Sequence, residues 1–504
     1  MALSTNQQIK IGAILSYTGI AIYVLTGLLY TPWMINVIGK EDYGLYTLAH
    51  SITAFFIFDF GFSAAIQRFT AKFLAEGKID KVNNYLSLVY RLYIFIDILI
   101  FFVLVIMFFC IPSIYTAFTA EQIERLEYVF IIVGIFSVIS FPFIPLNGIL
   151  SAHEKFVQLK GCDLFSKTLT VLLCVGCLYF GGGLYEIVIS TALVGILVIF
   201  IKYKIVRRET NITIDIGYYN KKQMKDLLSF SGWVTVVALC QRFIFNVAPT
   251  ILGLFEGAGE IGVLGIAICL ESYTFTFAFA LNGLFMPKVA RILSSGGEVL
   301  PLMIRVGRIQ ILIIGMLLVG FISIGADFIN LWLGPEYDKA FLCTLLFIIP
   351  AFFLQPADIA DQTLVVSGLV KYRAMVFIIM ACVNVILSIV LTCYWGIIGL
   401  AISIFVAYMI RNVALYYVYY VKLHINIWQF FKESYGKMIW GIMAALCIYQ
   451  IVSTMLDVPG WFGLGIKAVV VSFIYLACML LLAMNADEKK MLKRAVNSIT
   501  IRRG

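Results

Sequence analysis

The sequence predicts an all-α protein that crosses a membrane about fourteen times, and two observations lead to that prediction. Of its 504 residues, 62% are hydrophobic and only 13% are charged, whereas soluble globular proteins carry roughly 25% charged residues. The hydrophobic residues also form continuous blocks of roughly 18–25 residues, the length of helix that spans a hydrocarbon core of ~30 Å. They lack the short alternating segments of a membrane β-barrel. Lipid is therefore the predicted solvent for most of the surface.

The predicted spans occupy most of the chain and leave mainly short loops. The longest predicted cytoplasmic loop, at residues 204–228, separates the first six spans from the next six. The fourteen blocks are residues 11–34, 44–67, 85–111, 127–148, 160–180, 183–203, 229–254, 260–285, 303–326, 340–360, 372–394, 396–420, 435–456 and 462–484.

Lysine and arginine collect on alternate loops, and this bias predicts the orientation. The basic group includes the loop at 204–228 and the C-terminal tail, whereas the opposite loops hold only Lys40, Arg125 and Lys339. Both termini are therefore predicted to be cytoplasmic, in a bacterial inner membrane. The net charge of +9 follows from this orientation signal and from anionic lipid headgroups, so no nucleic-acid partner is predicted.

An internal repeat is indicated by the segments that follow the first and seventh spans. Residues 39–44 (GKEDYG) align with residues 257–262 (GAGEIG), and Ala49 aligns with Ala267. The basic loops that follow also correspond, with Lys72 in the first and Arg291 in the second.

The repeat predicts two six-helix lobes related by a pseudo-two-fold axis along the membrane normal. The lobes are residues 1–210 and 211–426, and residues 427–504 add two helices and a basic cytoplasmic tail. Such lobes enclose a site near the membrane midplane and give alternating access when they rock. A duplicated chain does not need a dimer for this, so a monomer suffices.

Four segments together resemble the bacterial polysaccharide exporters and O-antigen flippases of the multidrug/oligosaccharidyl-lipid/polysaccharide (MOP) exporter superfamily. Each segment is short, and the resemblance comes from their order and spacing over spans 1–12. The segments are VIGKEDYGLY at 37–46, DFGFSAAIQRF at 59–69, LWLGPEY at 331–337 and WGIIGLA at 395–401.

The resemblance implies a flippase that turns an undecaprenyl-pyrophosphate oligosaccharide, such as an O-antigen repeat unit, from the cytoplasmic to the periplasmic leaflet. It further implies polysaccharide polymerases and glycosyltransferases of the same pathway as partners, alongside membrane lipids. The substrate class comes from the resemblance alone.

Charged residues at membrane depth are functional candidates, because each costs several kcal/mol to place there. Arg242 in span seven and Glu271 in span eight are predicted to lie near the midplane. Arg242 is a candidate for a cationic cavity that binds pyrophosphate, which a guanidinium fork suits. The alternative is an ion pair between Arg242 and Glu271, and Glu271 is also a candidate for proton coupling.

The first lobe carries its own charged candidates. Asp59 and Arg91 are predicted at similar depth, either as a structural ion pair or as groups that handle substrate or protons. Asp97 lies deeper in span three. Arg68, at the cytoplasmic rim, either receives the incoming pyrophosphate or anchors the topology. Arg411, near a span end, either snorkels to the interface or contacts substrate.

Span ten has an unusual cluster of proline and polar residues. Pro350 and Pro356 bracket Gln355, and Asp358 and Asp361 follow. Because proline removes a backbone donor and kinks a helix, this span is predicted to hinge or to expose polar groups to the cavity. A kink accommodated by lipid is the alternative.

No phosphate-binding loop of the form G-x-x-x-x-G-K-[ST] is present in the sequence. No cofactor and no metal site are predicted, and the energy for transport would come from an ion gradient or the membrane potential. The main rival is a cation-coupled exporter of drugs or small molecules from the same superfamily. An enzyme, such as a membrane polysaccharide polymerase or ligase, is disfavoured because the outer loops are short.

Overall fold

The computed structural model describes residues 5–56, 62–210, 212–279, 285–456, 458–485 and 488–489. This part of the chain is helical throughout and contains no β-strand. Its α-helices are α1 Thr5–Ile38, α2 Lys40–Phe56, α3 Phe62–Ala75, α4 Ile79–Ile114, α5 Ala120–Ser140, α6 Pro145–Ala152, α7 Phe156–Tyr179, α8 Leu184–Glu209, α9 Lys221–Phe245, α10 Ala248–Gly253, α11 Ala258–Phe279, α12 Met286–Ser294, α13 Leu300–Leu333, α14 Lys339–Leu354, α15 Asp358–Val366, α16 Val370–Leu423, α17 Ile427–Ser434, α18 Gly436–Ser453 and α19 Gly460–Cys478.

The helices confirm the predicted all-α polytopic membrane fold. Twelve helical segments of the described chain are long and apolar enough to cross a membrane. One of them, α16, contains two predicted spans, because Gly396 has φ +56° and joins two helices within its 54 residues. The second predicted span is occupied by α2 and α3, on either side of residues 57–61, which lie outside the described chain.

The first compact unit comprises residues 1–265 and 377–403. Within it, α7 packs between α1 and α8, and α5 packs against α2 and α8. The second compact unit comprises residues 266–376 and 404–504, and α13 is its central helix, in contact with α14, α15, α17, α18 and α19. The predicted boundaries at residues 210 and 426 stay a prediction.

Arg308 on α13 joins three parts of the second unit, although it is only 4% exposed. Its guanidinium donates to the carbonyl oxygens of Glu433 and Ala483, both at 2.8 Å. It also donates to both carboxylate oxygens of Glu488, at 2.5 and 3.0 Å. Carbonyls near the ends of two helical segments are thereby satisfied away from water.

The two segments aligned as a repeat contact each other within the first unit. A β-carbon built on Gly44 would lie 1.8 Å from the carbonyl oxygen of Ala258, and one on Gly262 would lie 2.6 Å from the carbonyl oxygen of Lys40. The contact is reciprocal, because both pairs join positions that the alignment makes equivalent. This is the pattern that a two-fold axis produces at a self-complementary contact.

We expect Gly44→Ala and Gly262→Ala to destabilise the protein, because each β-carbon meets a backbone carbonyl that cannot rotate away. The expected loss is about 1–3 kcal/mol of unfolding free energy for each variant, measured by thermal or denaturant unfolding in detergent. Gly176→Ala is the control, since a β-carbon there meets nothing within 4 Å. Equal stability of Gly44→Ala and the control would contradict the close contact.

Candidate functional site

The site begins at a break in the tenth predicted span. Helix α14 ends at Leu354, a short 3₁₀ turn covers Gln355–Ala357, and α15 begins at Asp358. The interruption lies where the prolines predict it, because Pro356 has no N–H to donate to a carbonyl of the preceding turn.

Carbonyl oxygens next to this break are satisfied by side chains of the same unit. Asn412 Nδ2 donates to the carbonyl oxygen of Pro350 at 2.9 Å. Two tyrosine hydroxyls complete the set, from Tyr435 to Phe352 at 2.9 Å and from Tyr416 to Phe353 at 2.5 Å. An unpaired carbonyl at this depth would cost several kcal/mol, so these contacts allow the helix to stay broken.

A helical hairpin then brings together two opposite charges. Gly368, with φ +72°, lies in the turn between α15 and α16. Asp361 and Arg373 stand on either side of the turn, with 3.0 Å between Arg373 Nε and Asp361 Oδ1. Both side chains are no more than a quarter exposed.

Arg411, on the second half of α16, is buried at the centre of the site and is 5% exposed. Its guanidinium lies over the ring of Tyr408, 4.2 Å from the centroid, and donates to Asn412 Oδ1 at 3.2 and 3.3 Å. It interacts electrostatically with Asp361 and with Glu271, and Glu271 is itself 7% exposed.

The charged side chains of this site therefore form one cluster, which we call the charge chain. Its members are Glu271, Arg411, Asp361, Arg373 and Asp358, each of which interacts electrostatically with at least one other. Gln362 extends it by donating from Nε2 to Asp358. Three carboxylates face two guanidinium groups, so the fully ionised chain carries one excess negative charge that a bound proton or cation would neutralise.

The structure brings together four of the predicted site residues, and these are Glu271, Asp358, Asp361 and Arg411. The first three were coupling candidates in the sequence, and Arg411 was a substrate-binding candidate. Their assembly at one place is a geometric result, and their roles stay predictions.

The other candidates lie in the first unit or outside the described residues. Arg242 on α9 donates from Nη1 to the carbonyl oxygen of Ala54. Arg91 and Asp97 lie on α4, exposed and half-buried respectively. The proposed pair of Arg242 and Glu271 joins residues of two units and stays a prediction. Asp59 and the side chain of Arg68 lie outside the described residues.

Sequence reasoning missed Arg373 and Tyr408 as members of the site. In the sequence Arg373 has the position of an orientation charge, because it follows a loop and stands near Lys371. The turn at Gly368 is the signal that identifies it, since a hairpin places a residue five positions after the turn near one seven positions before it. Tyr408 has no such signal, because one tyrosine in an apolar span is unremarkable.

Three comparisons with known proteins bear on this arrangement. The model of the polysaccharide biosynthesis protein family matches residues 10–279. An uncharacterized membrane protein of Methanocaldococcus jannaschii, MJ1375, is 23% identical over 75% of this chain and 92% of its own length.

Two solved structures share the fold. The lipid II flippase MurJ, in an inward closed conformation, superimposes with a TM-score of 0.72 over 93% of this chain and 97% of MurJ, at 14% identity. A multidrug resistance MATE family transporter of the MOP superfamily, in an inward-facing conformation, gives a TM-score of 0.58 over 80% of this chain and 96% of its own, at 15% identity.

The fold and the twelve apolar helical segments of the described chain define a multi-pass membrane protein. Because the family model matches more than half of the chain, the protein belongs to the polysaccharide biosynthesis protein family. The resemblance inferred from the four sequence segments is thereby confirmed.

We expect Asp361→Asn to destabilise the protein, because it leaves Arg373 and Arg411 with too little compensating charge. The expected cost is about 3 kcal/mol, measured by unfolding in detergent. Adding Arg373→Gln should cost less than the sum of the single changes, with a coupling of about 0.5–3 kcal/mol.

The matched control is the ion pair of Lys467 and Asp327, 2.6 Å apart, in which Asp327 is 50% exposed. Asp327→Asn and Lys467→Gln should each change stability by less than about 1 kcal/mol. Strictly additive effects at Asp361 and Arg373 would contradict a coupled charge chain.

Proposed function

We propose that the protein is a flippase for lipid-linked oligosaccharides, which moves an undecaprenyl-pyrophosphate sugar such as an O-antigen repeat unit between leaflets by alternating access. The observation that carries this proposal is the family match, since it covers residues 10–279 and names polysaccharide biosynthesis. The fold likeness to a lipid II flippase over 93% of the chain supports it further. A lipid-linked sugar is a substrate class compatible with both comparisons.

The proposed direction is from the cytoplasmic to the periplasmic leaflet of the inner membrane, with both chain termini in the cytoplasm. The excess of lysine and arginine on the predicted cytoplasmic loops supports this orientation. The sugar would then be delivered to the side where surface polysaccharide is assembled. Glycosyltransferases would act before this protein and a polymerase after it.

Guanidinium groups are the proposed partners of the pyrophosphate. Arg411 and Arg242 both lie in apolar helical segments, and hydrogen bonds fix the position of each guanidinium group. A planar guanidinium group can bind two phosphate oxygens at once. An anion that binds Arg411 competes with Glu271 and Asp361 for the same cation. Release of those carboxylates is then the step that links substrate binding to proton or cation binding.

Coupling to a proton gradient or to the membrane potential is the proposed source of energy. The charge chain supports this, because its one excess carboxylate is a place for a proton or cation to bind when the chain is rearranged. Transfer of one charge across a potential of ~100 mV supplies ~2.3 kcal/mol.

The second candidate function is cation-coupled export of a small molecule. The observation that favours it is the excess of carboxylates over guanidinium groups in the charge chain, together with the fold likeness to a multidrug transporter. The smaller coverage and TM-score of that likeness favour the lipid-linked substrate.

The test is flipping of a fluorescent undecaprenyl-pyrophosphate oligosaccharide in proteoliposomes. We expect transport by the wild type, and a decrease of roughly tenfold or more for Arg411→Gln and for Arg242→Ala, since each removes a charged donor. Lys467→Gln is the control and should flip at the wild-type rate. Unfolding measurements on every variant separate a lost contact from a lost fold.

The folded wild-type protein could fail to flip the lipid and instead show cation-driven efflux of a soluble amphiphile. That result would contradict the flippase proposal and support the exporter candidate. Flipping that is unchanged when an uncoupler or an ionophore collapses the gradients would exclude the proposed coupling while leaving the substrate assignment intact.

A further inference from the structure

Helix α4 is much longer than a membrane is thick. Its 36 residues extend over ~54 Å at 1.5 Å per residue, against a hydrocarbon core of ~30 Å. The part of α4 that carries large exposed apolar side chains begins well inside the helix, because after Ile79 the first such side chain is Phe95. The lipid-facing apolar surface of α4 therefore begins about four turns into the helix.

These first turns are covered by residues 212–219, which we call the strap and which turn back after Asp215, where the Tyr218 N–H donates to the Asp215 carbonyl oxygen at 3.1 Å. Asn83 exchanges two hydrogen bonds with Thr213, at 2.9 and 3.2 Å. Ser87 Oγ, one turn further along, accepts from the backbone N–H of Asp215 at 2.8 Å. One helical turn and two extended residues both advance by ~6 Å, so the strap follows the helix in register.

The next turn of α4 brings Arg91 against the end of the strap. Its guanidinium lies 5.2 Å from the ring centroid of Tyr219 and donates a long 3.5 Å bond to the carbonyl oxygen of Gly217. The side chain is exposed, and no carboxylate pairs with it in the described part of the chain. Most of its five donors remain available to an anion.

Arg91 also heads a continuous stripe of exposed apolar side chains on α4. The stripe follows at intervals of 4, 3, 4, 3 and 4 residues, which places every member on one face of the helix. Its members are Phe95 (67% exposed), Ile98 (53%), Phe102 (58%), Val105 (36%) and Phe109 (73%). An arginine and a tyrosine at the end of such a stripe lie at the depth of lipid headgroups.

The far end of the stripe enters an apolar groove between α4 and α5. The groove has a volume of about 430 Å³ and is lined by Phe101, Phe108, Phe130 and Ile139 among other apolar side chains. Gly134 opens it, because a β-carbon at that position would meet nothing within 4 Å.

The depth of the groove restricts its occupant. Residues 101–109 lie ten to eighteen positions beyond Arg91, or ~15–27 Å along the helix axis. One leaflet contributes only ~15 Å of hydrocarbon. A lipid with its phosphate on Arg91 therefore fills the groove to its far end only if its tail is longer than one leaflet is thick.

We propose that Arg91, Tyr219 and the groove at Gly134 form a binding track for a polyprenyl phosphate, with the phosphate on Arg91 and the isoprenoid tail along the stripe. The proposal rests on the proposed function, because a flippase for polyprenyl-linked sugars must hold a tail that stays in the membrane while the headgroup crosses it. The track lies on the outer face of α4, so the tail remains in lipid.

The experiment uses the full chain in phosphatidylcholine nanodiscs and an undecaprenyl phosphate with a diazirine near the end of its tail. After illumination, peptide mass spectrometry should find adducts in residues 101–109 and 130–139. Gly134→Phe, which fills the groove, and Arg91→Gln, which removes the phosphate partner, should each lower labelling by about tenfold.

Two variants match these in chemistry but lie away from the track. Gly176→Phe adds a ring at another open helix position, and Arg207→Gln removes an arginine that lies 5.7 Å from the ring centroid of Tyr203. Both should label as the wild type does. Thermal unfolding in detergent is measured for all four variants, and labelling is compared among those that are as stable as the wild type.

Labelling that is indifferent to Arg91→Gln and Gly134→Phe would overturn the track. Equal labelling by a diazirine phosphatidic acid of ordinary chain length, and equal competition by that lipid against the undecaprenyl probe, would also overturn the track. The groove would then hold ordinary membrane lipid. The probe carries no sugar and need not cross the membrane, so a failure of flipping leaves this result standing. Normal flipping without groove adducts would remove the track alone.

Discussion

The structure depends on the rule that hydrocarbon offers no partner to a backbone N–H or C=O group. Continuous helices satisfy the rule by themselves, and breaks need side-chain partners. The break at Gln355–Ala357 is satisfied by Asn412, Tyr416 and Tyr435, and Arg308 satisfies carbonyls near two other helix ends. Asn412, Tyr416, Tyr435 and Arg308 are therefore buried polar side chains whose contacts serve the backbone.

The charge chain follows from the same break. Because α15 restarts after Pro356, Asp358 and Asp361 stand in its first turn, and the turn at Gly368 carries the chain back so that Arg373 reaches Asp361. Asn412 donates to the Pro350 carbonyl, which lies just before the break, and also accepts from Arg411. One residue thus contacts the broken span and positions the central cation, so a change in the break would move the charges.

Much of the fold was predictable because membrane burial leaves a strong signal in sequence. The blocks of apolar residues located the helices, and three of the resembling segments contain glycines that end or interrupt helices with positive φ, Gly39, Gly334 and Gly396. The break in span ten was predictable from its prolines. The site was predictable only in part. Glu271, Asp358, Asp361 and Arg411 were identified one at a time, as charged residues within predicted membrane spans, and the sequence did not show which of them contact each other.

The sequence by itself determined the all-α membrane class, the approximate number of spans and the family, since each depends on composition and local order. Only the tertiary structure decided which charges meet. Arg411 interacts electrostatically with Glu271 from the interior of α16 rather than from a span end, and Arg91 lies beside the strap. The reason is physical: hydropathy fixes the depth of a residue only to within a few turns, whereas an ion pair or a phosphate contact depends on helix rotation and on the loops that pack against it.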